Sequence, residues 1–178
     1  MSLDHGIYSI GYRVVEKDRP GSLLVDRLRS EGVKPGPLFK ALKNGQTVCL
    51  DDGRVINGKD YISAPKKGRI ITILGDTRMC SNALILAESA DYLVHEATFS
   101  AEESEMASAY YHSTTVQAAE TALKAGAKHL ILTHISSRYT PEDAEWLKEE
   151  SKAIFANTIM GEDLMAIKVP LYSEESDS

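Results

Sequence analysis

Three apolar, strand-like runs end in side chains that can bind a metal or move a proton. "RIITILGD" (69–76) delivers Asp76, "YLVHE" (92–96) delivers His95 and Glu96, and "HLILTH" (129–134) delivers His134. In open α/β sheets, ligands and catalytic groups gather at the carboxyl ends of strands. Each residue also has a plain reading: Asp76 as a turn former, His95 as a core residue, His134 as an imidazole bonded to a neighbouring loop. Three consecutive strand ends furnished in this way are harder to dismiss. His, Asp and His are the ligand types of a Zn²⁺ or Mn²⁺ site that performs hydrolysis. His5 and His112, the latter just before "STT", are the remaining candidates. His129 lies early in its strand and reads as structural.

The elements that must position these groups alternate between strand and helix. "GIYSIGYRVVE" (6–16) is rich in β-formers. The runs 69–74, 91–97 and 128–133 are continuous and apolar, as expected for strands covered on both faces. Helices are expected over 82–88, over 100–112, over 113–126 with a Ser-Thr-Thr cap and a Gly126 stop, and from Thr140 as cap with Pro141 at the first helical position. "DLMAIKVPL" (163–171) reads as a closing edge strand, and "SEESDS" as a disordered acidic tail (172–178). This is an α/β layer pattern.

Residues 15–67 differ in character. A short helix is expected within 21–32 and a single helical turn within 34–45, where Pro35, Pro37, Gly36 and Gly45 crowd together. A hairpin turning on Asp-Asp-Gly is expected within 46–58. The stretch has too little apolar mass for its own core and reads as a projecting arm. From Arg13 to Lys43 there are eight basic residues against four acidic ones, a local charge of +4 within a chain of 178 residues and net charge −6. An acidic body with a basic projection can meet a polyanion through the projection. Apolar content of 43 % and charged content of 26 % are those of a globular protein. No apolar run reaches the ~18–20 residues of a membrane span, so no membrane partner is expected. Cys49 and Cys80 have no CxxC spacing, which suggests a reduced, cytoplasmic setting.

The strings "SIGYRVVEKDRPGSL", "GVKPGPLFKALKNG", "DGRVINGKDYI", "GDTR", "LVHEATF", "YYHSTT" and "LTHISSRY" occur in fixed order from His5 to Ala166. On these motifs the chain resembles the ribonuclease Z family, endonucleases of the metallo-β-lactamase superfamily that remove 3′ trailers from precursor tRNA. The resemblance implies two zinc ions per complete site, with manganese as the alternative. His5 would ligate one ion, Asp76 would bridge the two, and His134 would ligate the second. Glu96 and His112 would form a carboxylate–imidazole pair beside the scissile phosphate. The arm would grip the tRNA through Lys34, Gly36, Pro37, Lys40 and Lys43, with Arg138 a further RNA contact. A homodimer acting on RNA rather than DNA is implied as well.

The chain departs from the superfamily pattern in one respect: it contains no His-x-His. The defining His-x-His-x-Asp-His string, and the aspartate that activates the attacking water, belong to the family's N-terminal half. The expected fold is therefore the C-terminal half of an αββα sandwich, a partial metallo-β-lactamase-like domain over 1–178 with 15–67 as the inserted arm. Two protein ligands per ion fall short of the three or four that zinc sites use. Negligible nuclease activity is expected of the chain alone, and its unfaced apolar strands should favour association. Two other functions compete: a non-catalytic RNA- or partner-binding fragment, and a small-substrate metallo-phosphodiesterase. The basic arm argues against the latter, since a small substrate needs no distant grip.

Overall fold

The computed structural model describes residues 1–171; the expected acidic tail, 172–178, lies outside them. The chain divides into two compact units, one formed by residues 1–16 and 69–171 and the other by residues 17–68.

The first unit is built on a five-stranded mixed sheet in the order β1-β4-β5-β6-β7. Its strands are β1 (Tyr12–Val15), β4 (Ile70–Ile73), β5 (Tyr92–Glu96), β6 (His129–Thr133) and β7 (Thr158–Met160). β1 runs antiparallel to β4, and the others are parallel. Parallel neighbours need crossovers, which are supplied by α3 (Ser81–Ala87), by α4 (Ser104–Ala109) with α5 (Thr115–Ala125), and by α6 (Asp143–Lys152). Leu74, Leu93, Leu130 and Leu132 of the sheet pack against Ala83, Leu86, Ala118, Ala119 and Ala122 of the helices. The alanines let helix backbone approach the sheet closely. α5 begins as expected: Thr114 accepts from the Gln117 N–H while the Gln117 side chain accepts from the Thr114 N–H. It stops at Gly126, whose φ of 64° suits glycine.

Three expectations fail here. Strand β4 is covered by helices on one face only, and its other face is partly open. Thr72 turns toward α3, donating to the Leu86 carbonyl, while Ile73 on the other face is 46 % exposed beside Tyr12 (60 %) and Val14 (56 %). The last strand is 158–160, not 163–171. Asn157 O and Leu132 O tie that earlier segment to β6, and 163–171 crosses without regular structure over the helix-free face. There Met165, Ile167 and Val169 close a cavity of about 400 Å³ with Ile71, Tyr92 and Val94. Helix α6 starts at Asp143 rather than after Thr140, because the Asp143 carboxylate accepts both the Thr140 N–H and its hydroxyl, fixing a turn ahead of the helix.

The second unit carries α1 (Val25–Ser30), α2 (Leu38–Lys43) and a hairpin of β2 (Thr47–Cys49) and β3 (Val55–Asn57), followed by a 3₁₀ turn at Gly58–Tyr61. Contrary to expectation, it has a core of its own: Leu28, Val33, Leu42, Val48 and Ile56, flanked by Leu23, Phe39 and Tyr61. The five are few but fully or nearly fully buried, while Leu38 and Val55 of the same unit stay exposed. Gly58 permits this packing, because a Cβ there would lie 2.4 Å from the Leu42 carbonyl oxygen. The hairpin turns where expected, with Gly53 at φ 84°. Lys34, Gly36, Pro37, Lys40 and Lys43 are all exposed.

Candidate active site

The parallel register brings the strand ends level. Ile73 pairs with Val94, and Glu96 pairs with Thr133, so Asp76, Glu96 and His134 emerge at one edge of the sheet. His5 arrives from a different direction. The N-terminal segment folds back on itself through Leu3 N–H to Ser9 O and Gly11 N–H to Met1 O, then lies against the end of β4, where Gly75 N–H donates to Ile10 O. Gly75 makes this close approach possible, since a Cβ would sit 2.8 Å from Ser9 Oγ.

The buried carboxylate of Glu96 organises the site. Its Oε1 accepts the Thr77 N–H and the Ser113 N–H, both at 3.0 Å. Its Oε2 accepts the Thr98 N–H at 3.0 Å and the Thr98 hydroxyl at 2.9 Å. Three loops are thereby fastened to one side chain, and Ser113 Oγ reinforces them by donating to Thr77 O at 2.6 Å. Glu96 Oε1 also lies 3.0 Å from His112 Nδ1. An Nδ1–H facing a carboxylate fixes the tautomer and leaves Nε2 with its lone pair outward. His5 is oriented in the same way, with Nδ1 donating to Tyr111 O at 2.9 Å.

The structure draws His5, Asp76, His112 and His134 together. Donor atoms of His5, Asp76 and His112 all lie within 4.8 Å of one another. The His112 ring stands 4.9 Å from that of His5 and 5.5 Å from that of His134. His134 Nε2 is 3.5 Å from Asp76 Oδ2. His134 has φ 56°, a left-handed conformation uncommon outside glycine that persists where surrounding structure imposes it. Two imidazole nitrogens with free lone pairs and a carboxylate fit the donor chemistry of Zn²⁺, and Glu96 and the Tyr111 carbonyl orient the two rings as such ligands require.

His95 takes no part in the cluster. It is fully buried, its Nδ1 bonds Glu96 O at 2.7 Å, its Nε2 has no partner, and burial lowers its pKa below the usual imidazole value. His129, expected to be structural, stacks on Tyr92. The Arg138 guanidinium is engaged by Glu103 at 2.5 Å and lies over the Phe99 ring. Sequence reasoning missed Thr77, Thr98, Ser113 and Arg78. Their only signal was adjacency, each lying within two residues of Asp76, Glu96 or His112.

Fold and site together define the class: an α/β protein with a mixed sheet and a His/Asp/Glu cluster at its strand ends. No family model matches the chain. Curated relatives do match. It is 58 % identical over 167 residues to Ribonuclease Z of Anoxybacillus flavithermus, covering 94 % of this chain and 54 % of that protein. With Ribonuclease Z of Geobacillus kaustophilus the identity is 55 % over 168 residues, covering 94 % and 55 %. The chain is thus homologous to ribonuclease Z over nearly all its residues, and it spans about half the length of the curated relatives it matches. Among solved structures it resembles human tRNase Z, short form (TM-score 0.46, 32 % identity, 65 % of this chain and 37 % of that one). It also resembles a metallo-β-lactamase fold protein of Bacillus subtilis (TM-score 0.47, 21 % identity, 65 % and 44 %). At these scores the two likenesses add no weight to the sequence comparison.

Proposed function

We propose that the chain supplies the proton-transfer half and part of the metal half of a phosphodiesterase site that removes 3′ trailers from precursor tRNA. The observation that carries this reading is the buried Glu96 holding His112 through Nδ1, with a nitrogen of that ring within 4.8 Å of donor atoms of His5 and Asp76. Zinc, or manganese in its place, would be held by His5, Asp76 and His134, and when bound it supplies an activated water and relief of charge on the phosphate. His112 protonates the departing ribose 3′ oxygen through Nε2, while Glu96 stabilises the imidazolium form and keeps the ring aimed. Phe99 and the fully buried Ser113 and Thr77 exclude water behind the pair.

The resemblance places His112 beside the scissile phosphate, stabilising its charge or protonating the leaving oxygen, yet its nitrogen is also close enough to join His5 and Asp76 as a third ligand. A single ion bound by these three groups in the isolated chain would disable the acid. This is a second reason, beside the absent His-x-His-x-Asp-His, for negligible cleavage by the chain alone. Lys34, Lys40 and Lys43, presented with Gly36 and Pro37 on the small unit, would contact the tRNA backbone, giving affinity without base readout. Arg138, held over Phe99, is the nearer of the expected RNA contacts to His112 in sequence. A homodimer in the cytoplasm completes the reading, resting on the exposed apolar band of Tyr12, Val14 and Ile73 and on two unpaired cysteines.

The test is incubation of end-labelled precursor tRNA with the chain and Zn²⁺ or Mn²⁺, run on paired denaturing and native gels. The expected result is a mobility shift without cleavage, with cutting beside the discriminator base once the remainder of a ribonuclease Z is co-expressed. Absence of any shift at low salt would remove the RNA-binding reading. Cleavage by the chain alone would show that the ligands present suffice, against the count of two per ion.

A further inference from the structure

Arg78 follows Asp76 by two residues and makes contacts in three directions. Its backbone N–H donates to Asp4 O at 2.9 Å. Its Nη2 and Nε reach Asp4 Oδ2 at 3.0 and 3.3 Å, its Nη1 faces Ser108 O at 3.5 Å, and its guanidinium lies 4.3 Å above the Tyr111 ring. Asp4 precedes His5, and Tyr111 precedes His112. Each of the three donors that converge on one another is thus carried by a loop that Arg78 touches.

We infer that Arg78 is a positioning residue that sets the spacing of His5, Asp76 and His112. The inference rests on the reading of His5 and Asp76 as metal ligands with His112 beside them. None of the three loops has regular structure to fix it, and a planar guanidinium has the shape for the task. One edge binds a carboxylate, a remaining N–H faces a carbonyl, and the face covers an aromatic ring. A lysine ammonium has neither the fork nor the face. An ion pair as exposed as Arg78–Asp4 contributes little by charge alone, so the contribution lies in geometry. Tyr111 shows the constraint directly. It is held at φ 62° with its ring under the guanidinium while its carbonyl receives His5 Nδ1–H. The fastening of the His112 ring is independent of Arg78, because the Glu96 carboxylate and the Thr98 hydroxyl hold its Nδ1 from the other side. Loss of the Arg78 side chain therefore frees the Asp4 carboxylate and the Tyr111 ring, loosening the spacing of His5 from His112, while the backbone bonds of Asp4 to Arg78 and Thr77 and the Glu96–His112 pair stay in place.

The experiment compares the chain with its Arg78→Met, Arg78→Lys and Asp4→Asn variants by two readouts. One is the nuclear Overhauser effect between the His5 and His112 ring protons, recorded without metal. The other is Zn²⁺ affinity from competition with a chromophoric chelator. For Arg78→Met the cross-peak should fall by more than half and affinity by roughly 10- to 100-fold, the range typical of second-shell losses, with the thermal midpoint unchanged. Arg78→Lys should restore neither. Full restoration by lysine would overturn the proposal in favour of a plain ion pair, as would a wild-type cross-peak and affinity in Arg78→Met. Should Arg78→Met not fold, Asp4→Asn decides: a weakened cross-peak supports the role and an unchanged one ends it. Failure of the unmodified chain to bind Zn²⁺ would refute the metal reading while the proton–proton readout still tests the positioning.

Discussion

The two units bury apolar residues on different scales, and the difference bears on what each can do. The sheet unit packs four leucines and a layer of alanines beneath its strands and projects its titratable groups from the strand ends above that support. The small unit closes around five buried aliphatic residues and projects lysines that have no buried partners. A reacting group must hold its position to within a fraction of an ångström, and among the described residues the larger unit has the buried hydrogen bonds for that, converging on Glu96. A backbone-contacting surface needs charge in roughly the right place, which exposed lysines on a modest scaffold provide.

The sharpest break in this comparison comes from the cores. Leu130→Ala, at a fully buried position between sheet and helices, should cost about 2–5 kcal/mol and unfold the sheet unit cooperatively, read by thermal or urea melts. Leu42→Ala, equally buried in the small unit, should cost at the lower end of that range, about 2–3 kcal/mol. Hydrogen exchange should locate its loss within 17–68, leaving the amides of β5 protected; exchange rising in both places would show that the units do not open separately.

Acid should separate them next. Burial depresses the His95 pKa, so the folded state takes up a proton less readily than the unfolded chain. The unfolded state binds more protons below its ordinary imidazole value near 6.5. Stability is therefore intact above about pH 6.5 and falls as pH drops below it, by up to about 1.4 kcal/mol per pH unit for one proton. A melt series from pH 7.5 to 5 should show this slope in the sheet unit, and His95→Phe, which removes the titrating ring, should flatten it. A smaller effect is expected of Thr114→Ala, which deletes the cap of α5 and should cost about 1 kcal/mol. The smallest stability effect belongs to Lys40→Gln with Lys43→Gln, within about 0.5 kcal/mol as for exposed surface changes. The same pair should lower RNA affinity at low salt and flatten its salt dependence; an unchanged salt slope would mean these lysines are not the RNA contact.

Much of the fold was legible in the sequence. Period-2 and period-3.6 patterns, the Thr114 cap and Gly126 stop, and the acidic or imidazole residue at each strand end are local properties, written within a few residues of one another. Local reading went wrong where a few side chains settle a contest between distant segments. The run 163–171 has the composition of a strand, but 158–160 reaches the edge of β6 first and is bonded to it. The arm's five core residues are too scattered along the chain to register as a core until α1, α2 and the hairpin fold together. Asp76, Glu96 and His134 follow from sequence alone, because parallel strands in register deliver their ends to one edge. Motif resemblance also pointed to His5 and His112, but how closely they meet Asp76 and His134, and that Thr77, Thr98, Ser113 and Arg78 fasten the group, was decided by tertiary structure. Loop residues carry no periodicity, and their positions are fixed only by hydrogen bonds to a carboxylate or guanidinium that lies far off in the chain.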